Sequence, residues 1–178
     1  MLHILLIAIA AILVLFIIVV AMQPGEFRIT RSAGIAAPLE KIFPHVNDFR
    51  RWETWSPWAK LDPACKNTFE GSPSGTGAMF AWAGNKKVGE GRMTITESHP
   101  GDLIRIKLEF LKPFKATNTA EFTFKSQGDQ TVVTWCMSGR NNFFSKAFGL
   151  FVNCDKMVGG DFEKGLSQMK TVVETARS

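Results

Sequence analysis

Cysteine and histidine are scarce in this chain, with three of each among 178 residues. Cys65, Cys136 and Cys154 are odd in number, show no paired spacing and form no CxxC, so they spell neither a disulfide framework nor a thiolate metal site. His3, His45 and His99 are scattered without metal-ligand spacing, and no metal or cofactor is expected. The glycines of GSPSGTGAM (residues 71–79) lack the lysine and the strand-to-helix context of a phosphate loop. The formal net charge is +5, yet no basic run stands out beyond Lys86-Lys87 at a turn, and no basic–aromatic stripe supports nucleic-acid binding. Internal repeats and low-complexity segments are also missing.

The most informative absence is that of charge near the N-terminus. Residues 2–22 (LHILLIAIAAILVLFIIVVAM) contain no Lys, Arg, Asp or Glu, and His3 is their one ionisable side chain. At ~1.5 Å per residue this stretch makes a helix of roughly 31 Å, the thickness of a bilayer's hydrocarbon core. A buried core helix would be shorter, and an amphipathic one would show a polar face. Residues 1–22 therefore read as a transmembrane anchor, and the chain as a single-pass membrane protein. A cleaved signal peptide ending near Ala21 is the alternative, disfavoured by the missing basic n-region and the length of the apolar run. No Lys or Arg precedes the span, whereas Arg28, Arg31 and Lys41 follow it. The positive-inside rule then places the remaining domain in the cytoplasm, which the unpaired cysteines also suit; an extracytoplasmic domain is the alternative. Residues 23–26 form a linker broken by Pro24-Gly25, too short for a stalk, so the domain at 27–178 should sit close to the bilayer.

Within that domain, residues 27–37 (FRITRSAGIAA) read as a strand. A helix follows over residues 37–49, with Pro38 in its first turn and Leu39, Ile42, Phe43 and Val46 at i, i+3, i+4, i+7. Pro44 removes one of its hydrogen bonds and predicts a kink or an end. From residue 66 onward the pattern changes to alternation punctuated by turns. Strands are predicted at 66–71, 77–83, 89–97, 103–110, 117–125 and 131–139, with AGN, HPGD, KP and QGD between them. Consecutive strands with such short connections imply an antiparallel meander.

One face of that meander is large and apolar. Met93 and Ile95, Ile106 and Leu108, Phe122 and Phe124, Trp135 and Met137 each share a side of their strand, opposite Arg92, Lys107, Thr123 and other polar residues. A C-terminal helix over residues 161–176 presents Phe162, Leu166, Met169 and Val173 as the stripe to cover it. Ahead of that helix, residues 143–152 crowd five large apolar residues together, and Gly159-Gly160 reads as a hinge. The stretch WETWSPWAKLD (residues 52–62) holds three tryptophans, Trp52, Trp55 and Trp58. They plug the end of the core, gate a cavity mouth or touch the nearby bilayer; spacing alone leaves these open.

A strand, two short helices, an antiparallel meander and a long C-terminal helix form the order of the helix-grip fold, an α+β architecture whose curved sheet wraps the last helix. Residues 35–58 (IAAPLEKIFPHVNDFRRWETWSPW), 75–95 (GTGAMFAWAGNKKVGEGRMTI), 131–140 (TVVTWCMSGR) and 159–170 (GGDFEKGLSQMK) resemble the START-like (SRPBCC) superfamily. The resemblance spans residues 27–174 and is nearest to the bacterial polyketide cyclase/dehydrase-like branch that carries an N-terminal membrane segment. It implies a cavity between sheet and C-terminal helix that holds an apolar or aromatic small molecule or a lipid. The expected lining is Trp55, Trp58, Met93, Ile95, Ile106, Leu108, Phe122, Phe124, Trp135, Met137, Phe162, Leu166 and Met169. Phe144, Phe148 and Phe151 would form a lid closing on Trp55 or Trp58. The same residues packed tightly would be an ordinary core, which leaves a membrane-tethered interaction module as one alternative. A cyclase or dehydratase is the other; it needs a polar acid/base pair inside the cavity, for which Glu97 and His99 are the candidates. No catalytic residue carries over from the resemblance, and the balance leans toward a binder without enzymatic activity.

Overall fold

The computed structural model describes residues 1–176. It begins with a helix, α1 (Leu2–Ala21), exposed on every side except at Val20 and uncharged throughout. By length and composition it is able to cross a membrane, a character that signal sequences share. The chain continues as β1 (Glu26–Ile35), α2 (Leu39–Asn47) and a 3₁₀ helix (Phe49–Thr54). Then follow β2 (Lys66–Gly71), β3 (Ala78–Ala83), β4 (Glu90–His99), β5 (Leu103–Lys112), β6 (Ala116–Gln127) and β7 (Gln130–Arg140). Two helices close it: α3 (Phe143–Gly149) and α4 (Cys154–Thr175). The expected domain end at Ser178 lies outside the described residues.

All seven strands join one antiparallel sheet in the order β1-β7-β6-β5-β4-β3-β2. The meander is as the alternation predicted, and β1 adds to its last strand, with Ile29 opposite Met137 and Arg31 opposite Trp135. Register shifts in β4, beside Gly91 and between Ile95 and Glu97, mark where the sheet departs from flat pairing. At Gly91 the missing side chain leaves the space that the Trp82 ring occupies. Strand directions sort the turns into two ends. The α1–β1 linker, the β3–β4 and β5–β6 turns and the β7–α3 connection lie at one end; the β2–β3, β4–β5 and β6–β7 turns lie at the other.

The apolar face buries as its sequence pattern requires. Phe162, Leu166, Met169 and Val173 of α4 are buried with Ile95, Ile106, Phe122, Val133 and Trp135 of the sheet. Each such side chain contributes about 1.5–3 kcal/mol by leaving water. The centre is an aromatic stack: Trp135 lies flat on Phe162 at 4.0 Å and on Phe122 at 4.8 Å between ring centroids. α4 approaches closely because Gly165 faces this stack; a Cβ there would lie 3.0 Å from the Trp135 ring and 3.1 Å from Pro57.

The tryptophan cluster is part of that core. In a 3₁₀ helix residues i and i+3 eclipse, which brings the rings of Trp52 and Trp55 to 4.7 Å. Both are buried, and their indole N–H groups donate to the carbonyls of Val46 and His45, at 3.0 and 2.9 Å. Those carbonyls belong to the last turn of α2, where a helix has no N–H donors of its own left to satisfy them. Pro44 is tolerated inside α2, which ends three residues later.

Two expectations about the C-terminal helix change. It starts at Cys154 rather than 161, because the Asn153 side chain caps it by accepting from the Lys156 N–H. Gly159 and Gly160 therefore sit inside a continuous helix and are not a hinge. At Gly159 the absent side chain makes room for the guanidinium of Arg31; at Gly160 nothing lies within 4 Å.

Candidate functional site

A groove of about 770 Å³ opens at the linker end of the sheet. Its floor is Phe27 and Ile29 of β1 with Met137 of β7, and its far walls are Phe148 and Phe151 around α3 and Val158 of α4. Gln23, Pro24 and Glu26 form the rim where the chain leaves α1. The floor is apolar because β1 alternates: Phe27 and Ile29 face inward while Arg28 and Thr30 face out, in register with β7. α3 is held over it by three observed contacts. Asn142 caps α3 by accepting from the Ser145 N–H at 2.8 Å, α3 packs against the end of α1, and Lys146 Nζ donates to the Ala21 carbonyl at 3.3 Å. A cation at the C-terminal end of α1 is where the helix dipole favours one.

One polar cluster fixes the α4 wall. Arg31, on the inner face of β1, donates to Glu163 at 2.7 Å and to Asp155 at 3.0 Å, and also to the backbone carbonyl of Asp155 at 3.1 Å. This guanidinium holds the Asp155 carboxyl below the usual carboxylate range, and the two carboxylates push the guanidinium further up. The cluster ties the first turns of α4 to β1 and leaves Asp155, which lines the groove, committed to Arg31.

Most of the expected lining lies elsewhere. Met137 alone of that set reaches the groove. Trp55, Met93, Ile95, Ile106, Phe122, Phe124, Trp135, Phe162, Leu166 and Met169 are buried against one another, and Trp58 and Leu108 pack on that core half-buried. These residues are brought together as one cluster, but the aromatic stack fills its middle. Of the expected lid, Phe148 and Phe151 line the groove, while Phe144 stands outside it, 79% exposed. Neither Trp55 nor Trp58 lines the groove; Trp55 is held inward by its bond to His45, and Trp58 packs edge-on against Trp135 and Phe162. Glu97 faces the wet side of the sheet, paired with Arg105, and His99 ends β4 at the far end, exposed. They do not meet in the groove.

The residues missed from the sequence are Phe27, Ile29 and Val158. The first two were legible in the alternation of FRITRSAGI, and Val158 was obscured by its glycine neighbours. Asn118 was missed as well: it is a buried polar residue on the inner face whose Oδ1 fills the space above Gly139, next to Phe27.

A curved antiparallel sheet gripping a long C-terminal helix, with an apolar recess at one end of their interface, defines a START-like helix-grip domain. The chain belongs to the family described as "Polyketide cyclase / dehydrase and lipid transport", which matches residues 26–174. No curated protein matches the sequence. Among solved structures, it is similar to SA2116 from Staphylococcus aureus, a protein of unknown function (TM-score 0.63, 11% identity, 88% of this chain and 98% of that one). It is similar also to Aha1 from Colwellia psychrerythraea, solved as a dimer (0.60, 14%, 85% and 99%). A third is CalU16 from Micromonospora echinospora (0.57, 17%, 84% and 79%). At such identities these likenesses establish the fold.

Proposed function

We propose that this protein is a membrane-tethered binding domain for an apolar or aromatic small molecule or a lipid, held in the groove between β1, β7, α3 and the first turns of α4. One observation carries the reading: an apolar recess large enough for a ligand of that class opens directly beside the end of α1. A molecule dissolved in the bilayer would reach it without crossing bulk water. The family's own description, which includes lipid transport, agrees with this reading.

Chemistry in the groove is the less supported reading. Its titratable lining is Glu26, Arg28, Lys146, Cys154 and Asp155. Asp155 is bound to Arg31 and Lys146 to the end of α1, Glu26 stands on the rim, and among the described residues no histidine lines the groove. The filled aromatic centre would suit an interaction module, but such a module has no use for the recess.

The test is occupancy of the groove. Full-length protein in nanodiscs should bind the apolar fluorophore N-phenyl-1-naphthylamine, and Val158→Trp, which fills the groove from α4, should weaken that binding about tenfold or more. Native mass spectrometry of protein extracted from its own membranes should show a co-purifying small molecule that the variant lacks. Equal binding by both proteins would overturn the assignment of the groove.

A further inference from the structure

Strand register sets what lies level with the end of α1. Glu26 pairs with Arg140, and the neighbouring Gly139 pairs with Asn118, which pairs in turn with Leu108. From that level β6 runs back through Thr117 and Ala116 to the β5–β6 turn, whose Phe114 precedes Asn118 by four residues. The turn therefore projects past the start of β1. Phe114 lies at the end of the sheet from which the linker leads to α1, and it is 79% exposed with exposed Leu111 nearby.

The charged side chains within the β3–β4 and β5–β6 turns themselves are lysines. Lys115 follows Phe114, Lys86 and Lys87 occupy the β3–β4 turn, and Lys112, whose Nζ is bonded to Glu90 at 2.7 Å, holds the two turns side by side. All four lysines are exposed. Across the sheet, α3 and the segment after it hold out Phe144 and Phe151, the latter 80% exposed. Among the described residues after α1, the exposed large apolar residues other than Leu61, Phe69 and Met157 gather at this end. The opposite turns carry Asp102 and Asp129 and no exposed large apolar residue.

Exposed aromatic tips flanked by lysines have a physical match in the interface of an anionic bilayer, where rings sit among the headgroups and ammonium groups meet phosphate. We infer that this end of the sheet is a second membrane-docking surface, in which Phe114 enters the headgroup region of an anionic bilayer while Lys86, Lys87 and Lys115 hold its phosphates. With α1 and α3 on the other side of the sheet, two points of attachment fix the tilt of the domain and press the groove mouth toward the lipid. The inference rests on α1 being an anchor.

The test is photocrosslinking with full-length protein in nanodiscs of phosphatidylglycerol or phosphatidylcholine, with benzoylphenylalanine replacing Ile12, Phe114 or Asp129. Position 12 should form lipid adducts in both lipids. Position 114 should do so in phosphatidylglycerol at least fivefold above position 129. That yield should fall to the level of position 129 in phosphatidylcholine and in the K86E/K87E/K115E variant. Adducts at 12 with none at 114 above position 129 overturn the docking surface and leave the anchor standing. Equal yields at 114 in both lipids overturn the role of the lysines. A failure at position 12 removes the anchor and the docking surface with it.

Discussion

Gly159 and Gly160 are neighbours in one helix, and alanine should have opposite effects at the two positions. Glycine in a helix interior is less favourable than alanine by about 0.8–1 kcal/mol. Gly160 is exposed and a Cβ there meets nothing within 4 Å, so Gly160→Ala should gain that full amount. Gly159 is buried against the Arg31 guanidinium, and a Cβ there overlaps its planar group. Arg31 is the far end of a flexible side chain and is free to swing away, but only by giving up its bonds to Asp155 and Glu163. Gly159→Ala should therefore forfeit the propensity gain and fall at or below wild type. The expected gap is at least about 1 kcal/mol, which is roughly 2–4 °C in thermal midpoint for a domain of this size. Differential scanning fluorimetry of both variants in detergent reads it directly. Arg31→Met should erase the difference by giving the Gly159→Ala methyl a neighbour with no bonds to lose. Equal midpoints for the two alanine variants would refute the packing argument, and two lowered midpoints with slowed ligand exchange would restore the hinge.

Phe162→Ala should cost roughly 3–5 kcal/mol in chemical denaturation, because the ring is buried and lies flat on Trp135 with no room to relax; a loss under about 1 kcal/mol would mean the centre is hollow. Phe148→Ser with Phe151→Ser should lower the midpoint only slightly, since both rings are exposed, while shortening retention of the naphthylamine probe; a large drop in midpoint with unchanged retention would make them core. Burial, and secondarily Arg51, holds the His45 imidazole below its ordinary pKa of 6.5, so the folded protein binds fewer protons there than the unfolded chain. Stability from this site is complete above pH 6.5 and is lost as pH falls from there through the lowered pKa. The midpoint should decline more between pH 7 and 5 in wild type than in His45→Gln, and matching declines would refute the assignment.

Much of the architecture was legible because its signals are local. An uncharged run of residues 2–22 declares an apolar helix by length alone, and period-two alternation between glycine- and proline-containing turns marks strands that pair with their neighbours. The stripe Phe162, Leu166, Met169 and Val173 was equally plain, since one helix face has to be covered. Boundaries were lost where one side chain decides them. Asn153 starts α4 seven residues early by capping it, and glycines that resemble a break are there because a guanidinium needs the space.

The site was the least legible part, and the reason is volume. Sequence determined which residues face inward and that they are apolar, along with the helix-grip order and the apolar N-terminal helix. Whether inward-facing side chains enclose a void depends on how rings from distant segments stack, and alternation carries no information about that. Trp52 from the 3₁₀ helix and Trp55 just after it, Phe122 and Trp135 from the sheet and Phe162 from α4 meet only in the folded chain, where they fill the space a ligand would need. The tertiary structure thereby moved the open volume to the end of the sheet, where α3 arches over β1 and β7 beside α1, because there the covering elements are too short to fill it.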